Sequence, residues 1–452
     1  MKTPLRPRAC LASFAVVVLA CSAIARPPEN PPLRGLPEDH VPPPPGGAPG
    51  LARRMVTTGT AAATFRDAGK RVEKNETYVA TETDQSAILA TGGTKLTLNS
   101  PTILSSASTS NEEASSFYGL AAAVLATEGG SITISSGSVN SSGYGANAIF
   151  AYGKGSAIKL SKTKITASGP AAHGIMVSGG GEITAEDLDV ATSGVRSASI
   201  ATDRGGGKIT VTRGRYRSTG TTSPALYSTG EIVVSDADLL AADSEAAVVE
   251  GSNSITLTNC VLSGARKRGV MLYQSFSGDA SGRRGTFKMS GGSLAAAEGP
   301  LFYVTNTTGI VQLSGVTLAP ASGKLLLSAV GEWGREGDNG GDARLFADAQ
   351  TLSGDLAADA KSELSISLKN QSTLTGAIQR ASLSLDSSSR WTATADSHLV
   401  VLSVDDGNLA QLARIRSYGY TITYEDTRSE NRWLAGKTYP LEGGGKLTPA
   451  AR

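Results

Sequence analysis

A repeating column of alternating charge constrains this 452-residue chain more than any other feature. With Ile158, Ile183, Ile209, Ile232 and Ile255 taken as equivalent, the residue four places on is Lys162, Asp187, Arg213, Asp236 and then Asn259. Two places further stand Lys164, Asp189, Arg215 and Asp238. Signs alternate usefully only if equivalent residues lie directly over one another at the ~4.8 Å spacing of neighbouring strands. The pattern therefore predicts an all-β parallel solenoid in which each repeat is one coil.

Burial follows the same register. The residue two places after each isoleucine is Leu160, Ala185, Val211, Val234 or Leu257, and Lys159, Thr184, Thr210, Val233 and Thr256 alternate with these on the outside, as period two demands. Ile165, Val190, Tyr216, Leu239 and Leu262 form a second inward stack. A third strand precedes each anchor, with Ile149, Ile175, Ile200, Leu226 and Val248 read as its inward series. Three short strands per coil give a triangular section, with Gly, Ser, Asn and Asp supplying the joints. The segments "SELSISLKNQSTLTGAI" and "ASLSLDSSSRWTATADSHLVVLSV" predict shorter coils toward the C-terminus. Fifteen or so coils would make a rod roughly 70 Å long. Helix signals are nearly absent, and "ATFRDAGKRVEK" is expected to help cap the first open edge. The expected division is a cap over 55–85, the β-helix over 86–404 and a terminal element over 405–452.

The N-terminus predicts export. Lys2, Arg6 and Arg8 precede an apolar stretch, Ala9 to Ala20, too short to span a bilayer, so residues 1–25 read as a signal peptide. Val18-Leu19-Ala20-Cys21 offers a second reading, a lipobox that would lipidate Cys21 and anchor the chain to an outer membrane. A proline-rich linker over 26–54 follows, extended rather than packed. With the signal removed, Cys260 has no disulfide partner on the first reading, and its inward column predicts an inert buried thiol. A net charge of +2 and an aromatic content of 5% argue against a nucleic-acid partner.

The segments "SIATDRGGGKITVTRGRY", "SPALYSTGEIVVSDA", "AAVVEGSNSITLTN", "GVMLYQSFSGDASG" and "PLFYVTNTTGIVQLSGV" resemble a widespread group of exported bacterial right-handed parallel β-helix proteins. The likeness runs from about Ser86 to Leu447, and "IRSYGYTITYEDTRSENRWLAGKTYPLEGGGKLTP" is similar to that group's terminal element. More distantly, the chain resembles autotransporter passengers of the pertactin and adhesin type. The resemblance implies a right-handed helix, placement outside the cell or on its outer surface, and adhesin-like work. No set of amphipathic strands for a translocating barrel is found, so export through its own barrel is not expected.

Familiar catalytic patterns are missing. His40, His173 and His398 lie far apart without zinc-ligand spacing, so neither a metal nor a cofactor is expected. Gly436-Lys437-Thr438 imitates a phosphate loop without its strand-to-helix setting and reads as a turn. Asp338 and Asp342 lack the repetition of a calcium solenoid and read as a polar loop. A column near the end of the third strand holds more interest: Asp203, Glu250 and Gln274 recur there, with Tyr227 and Asn306 nearby. Two coils apart, Asp203 and Glu250 could approach an inverting glycosidase pair, with Arg204 orienting an acidic sugar. Equally, acids at coil ends cap corner N–H groups. His173 stands at a corner, where a backbone cap is the first reading and a general base the second, and it joins the ligand-binding candidates; Arg266, Lys267, Arg268, Arg283 and Arg284 form a basic cluster that is either solvated or in contact with anionic polysaccharide or lipopolysaccharide. Tyr227, Gln274 and Asn306 complete the expected ligand-binding set. The leading expectation is a monomeric, exported, non-enzymatic protein that binds polysaccharide or host-surface glycan. A polysaccharide lyase or hydrolase and a structural envelope spacer are the alternatives.

Overall fold

A computed structural model describes residues 59–276, 280 and 282–451. The signal peptide, Cys21 and the proline-rich linker lie outside the described residues. Those described form a parallel β-helix of about 15 turns. Ile132, Ile158, Ile183, Ile209, Ile232 and Ile255 pair in succession along the first face. The column continues without interruption through Phe287, Val311, Leu345, Ile366, Leu383 and Leu402. All of these side chains are buried, each contributing about 1.5–3 kcal/mol of apolar transfer energy. Ile165, Val190, Tyr216, Leu239 and Leu262 stack likewise on the second face.

The charged column does more than pair. Ser136, Lys162, Asp187, Arg213, Asp236 and Asn259 all have φ between 50° and 59°, so the corner between the first two faces is turned by the ladder residues themselves. Ser, Asn and Asp are among the expected corner residues; Lys162 and Arg213 are not, yet they accept the left-handed conformation as well. The ladder heads then meet across coils: Arg213 Nε lies 2.7 Å from Asp187 Oδ1, a second guanidinium nitrogen reaches Glu186, and Asn259 Nδ2 donates to Asp236 Oδ1 at 3.3 Å. Lys164, Asp189, Arg215 and Asp238 stand in register beside them.

One column shifts by a residue. Leu226 pairs with Ala247, and Val248 pairs with the outward Tyr227, so the inward series on the third face reads Ile149, Ile175, Ile200, Leu226, Ala247, Val270 and Phe302. Val248 instead joins Met271, Tyr273 and Tyr303 in an outer apolar cluster. Sequence periodicity misplaces it because this face is apolar on both sides. The outer positions Phe150, Met176 and Ala201 pack with Ala122 and Ala198, and the helix α1, Glu112–Tyr118, lies over this part of the face. Asn111 caps α1 by accepting from Ala114 N, and Gly119 closes it at φ 76°.

Residues Thr60–Phe65, Lys70–Lys74 and Thr77–Ala80 form a complete first coil paired to the next one, so the expected cap is itself solenoid strand over its described part. The later coils are shorter, as Ser365 stands on Ser382. At the far end, Ser429–Leu434 forms a 3-10 turn, and Tyr439–Pro440 runs antiparallel to Lys446–Pro449.

Candidate functional site

The third face brings the expected site residues into two neighbouring columns rather than one. Continuing the register of Met176, Ala201, Tyr227 and Val248 by two residues aligns Ser178, Asp203, Thr229 and Glu250, and Glu250 pairs with Tyr273. Asp203 and Glu250 are thus two coils apart. Gln274 falls one place further on, beside Asn306, whose Nδ2 donates to the Gln274 carbonyl at 2.7 Å. Asn306 turns the chain at φ 51°.

Glu250 is 1% exposed. Its Oε2 accepts the hydroxyls of Tyr227 at 2.6 Å and Tyr273 at 2.8 Å, and its Oε1 accepts from Ser275. Three donors replace the water a buried carboxylate loses. Burial, with Tyr273, Glu250 and Asp203 close by, pushes the Tyr227 hydroxyl well above its usual range. Asp203 Oδ1 accepts from the Arg204 N–H at 2.7 Å, a turn-forming bond, while the Arg204 guanidinium lies 3.8 Å from the Phe117 ring centre and ties α1 to the face. A hydrolytic pair needs one carboxyl ready to donate beside an open cleft. Glu250 is closed in by hydroxyls instead.

His173 and Tyr227 come together at a cavity of about 260 Å³ beneath α1, lined also by Glu112, Ser116 and Arg196. Arg196 and Glu112 pair at 2.7 Å, and Tyr144 donates to the same carboxylate. The His173 backbone N–H donates to Asn147 Oδ1 at 2.8 Å, and its Nδ1 accepts from Ala198 N at 3.0 Å. An accepting Nδ1 leaves the proton of the neutral ring on Nε2. Burial lowers its pKa to about 4. The backbone-capping role and the lining role are therefore combined in one residue.

Glu112 and Arg196 were not singled out by sequence patterns. A signal existed: Asn111, two glutamates and then Gly119 form a cap-to-cap signature, but seven helical residues carry little periodicity. The other candidates disperse. Arg266 meets Asp243 at 3.1 Å and Glu298 at 3.2 Å, and Arg268 reaches Glu245 at 3.4 Å while stacking 4.5 Å from the Tyr303 centre, so acids answer both of these arginines. Asp342 holds Arg344 at 2.7 Å. The Lys437 carbonyl accepts from Tyr424 at 2.9 Å, a turn as expected. Cys260 is free and buried, and burial raises its thiol pKa. Among the described residues no cluster of three His, Cys, Asp or Glu side chains could hold a metal ion, and no helix there is long and apolar enough to cross a membrane.

Comparison with protein-family models, with curated proteins and with solved structures finds no match.

Proposed function

We propose that the chain is an exported, non-enzymatic β-helix that binds glycan on its third face, in an adhesin-like manner. The observation that carries this reading is the set of fixed polar groups around the cavity beneath α1. The Arg196 and Glu112 pair offers donors and acceptors side by side, the neutral His173 ring adds an Nε2 donor, and Tyr227 adds an aromatic surface. Sugar hydroxyls are recognised by such rigid, paired hydrogen-bonding groups next to an aromatic ring. Catalysis is the weaker reading because both Glu250 oxygens are already engaged. Export rests on the basic and apolar N-terminal segments and on the resemblance to exported β-helix proteins, with Cys21 as the lipid anchor on the second cleavage reading.

The test is a panel of neutral and acidic polysaccharides incubated with purified protein. Saturable binding is expected, with the glycan recovered intact and the affinity lowered about tenfold by Arg196→Ala, the scale of one lost charge-assisted bond. New reducing ends or unsaturated products, abolished by Glu250→Gln, would replace the reading with a hydrolase or lyase.

A further inference from the structure

On the first face of the C-terminal coils, Arg344, Ser365, Ser382 and Val401 stand in one outward column. The two serines are small, so the middle of the column is low. Its ends are high. At one end the Arg344 guanidinium is clamped to Asp342 at 2.7 Å, with Phe346 beside it, 42% exposed. At the other, the chain beyond Leu402 folds back as the turn Ser429–Leu434, fixed by the Trp433 Nε1 bond to the Leu402 carbonyl at 3.0 Å. That fold places Arg428, paired with Glu425 at 2.7 Å, along the rim. A bulge at Arg380, where register slips between Gln379 and Ala381, opens the side. The result is a trough of about 840 Å³, more than three times the cavity beneath α1.

We propose that this trough is a second, separate binding site, and that its ligand is an uncharged oligosaccharide chain. The choice of glycan rests on the reading given above; the position does not. Four cationic and four carboxylate side chains line the trough, so it carries no net charge with which to attract a polyanion. Arg344 and Arg428 each face a carboxylate that neutralises them, which leaves a planar pair of donors and acceptors at either end. Between the pairs lie serine hydroxyls, and Phe346 offers a ring face to the C–H side of a sugar. Hydroxyl groups both donate and accept, so a neutral glycan satisfies this lining without stripping either ion pair.

Glycan-array binding of the full chain tests the site, with Phe346→Ala, with Ser382→Trp to fill the trough, and with Arg196→Ala as the third-face variant. Both trough positions point outward, and unchanged circular dichroism and melting would establish that the variants fold. The expected result is binding to neutral glycans at 0.15 M and 0.5 M salt alike, weakened at least tenfold by Ser382→Trp and by Phe346→Ala and retained in part by Arg196→Ala. Neutral-glycan binding lost only in Arg196→Ala would overturn the trough while keeping the glycan reading. Binding confined to acidic glycans and abolished by salt would overturn the ligand class, and an array with no bound glycan would overturn both proposals.

Discussion

Nδ1 of His173 accepts a backbone N–H, and burial holds the ring neutral with a pKa of about 4. The folded value lies below the ordinary 6.5, so between pH 6.5 and 4 the unfolded chain binds the extra proton and folding stability falls with pH through that window. The loss amounts to on the order of 3 kcal/mol when complete. A His173 ring titration followed by NMR should show less than about a tenth of the ring protonated above pH 5, and a midpoint near 6.5 would contradict the assignment. Acids at corners show the same economy in the opposite sense: burial pushes the Asp386 carboxyl up, but N–H donors from Asn370, Ser389 and Ser388 more than offset it and leave it below the usual range. That corner-capping habit was legible for acids in general. The particular partners of Glu250 were not, because Tyr227 lies in the coil before it and Tyr273 and Ser275 in the coil after, and no strand periodicity joins the two sides.

The corner ladder and the helix α1 carry the predictions at the level of elements. Replacing Arg213 by glycine removes exposed ion pairs worth about 0.2–1 kcal/mol and loosens the unfolded chain by about 0.5–1 kcal/mol. It also relieves a left-handed conformation costing about 1–2 kcal/mol, so the net change in unfolding free energy should stay within about 1 kcal/mol. Ile209→Ala, one strand position inside the core, should cost about 2–5 kcal/mol. Equilibrium denaturation of the two variants compares them directly, and equal losses would mean that the ladder rather than the core sets stability. Asn111→Ala should cost about 1 kcal/mol and speed amide exchange across Glu112–Tyr118, leaving the isoleucine strands protected. The strands were legible because alternation persists over many coils. The helix was not, and the slip at Val248 came from a face where inner and outer positions are equally apolar, since α1 and its neighbouring aromatic cluster cover it.

At the scale of the molecule, repetition makes the fold readable and the ligand sites hard to read. Coil after coil restates the same inward columns, so an error in one coil is corrected by the next. The cavity beneath α1 and the C-terminal trough arise where the repeat is broken, by an inserted helix in one case and by a shortened, bulged run of coils in the other. Both depend on vertical register through the stack. Lys159 and Gln312 are exposed and occupy one outward column, linked through Thr184, Thr210, Val233, Thr256 and Lys288. Spin labels at Lys159 and Gln312 measure that register by pulsed electron resonance. Six steps of ~4.8 Å predict a single narrow distance distribution centred at about 29 Å between the two backbones; a broad distribution, or a centre displaced by more than about 10 Å, would contradict the stacked β-helix and with it both proposed sites.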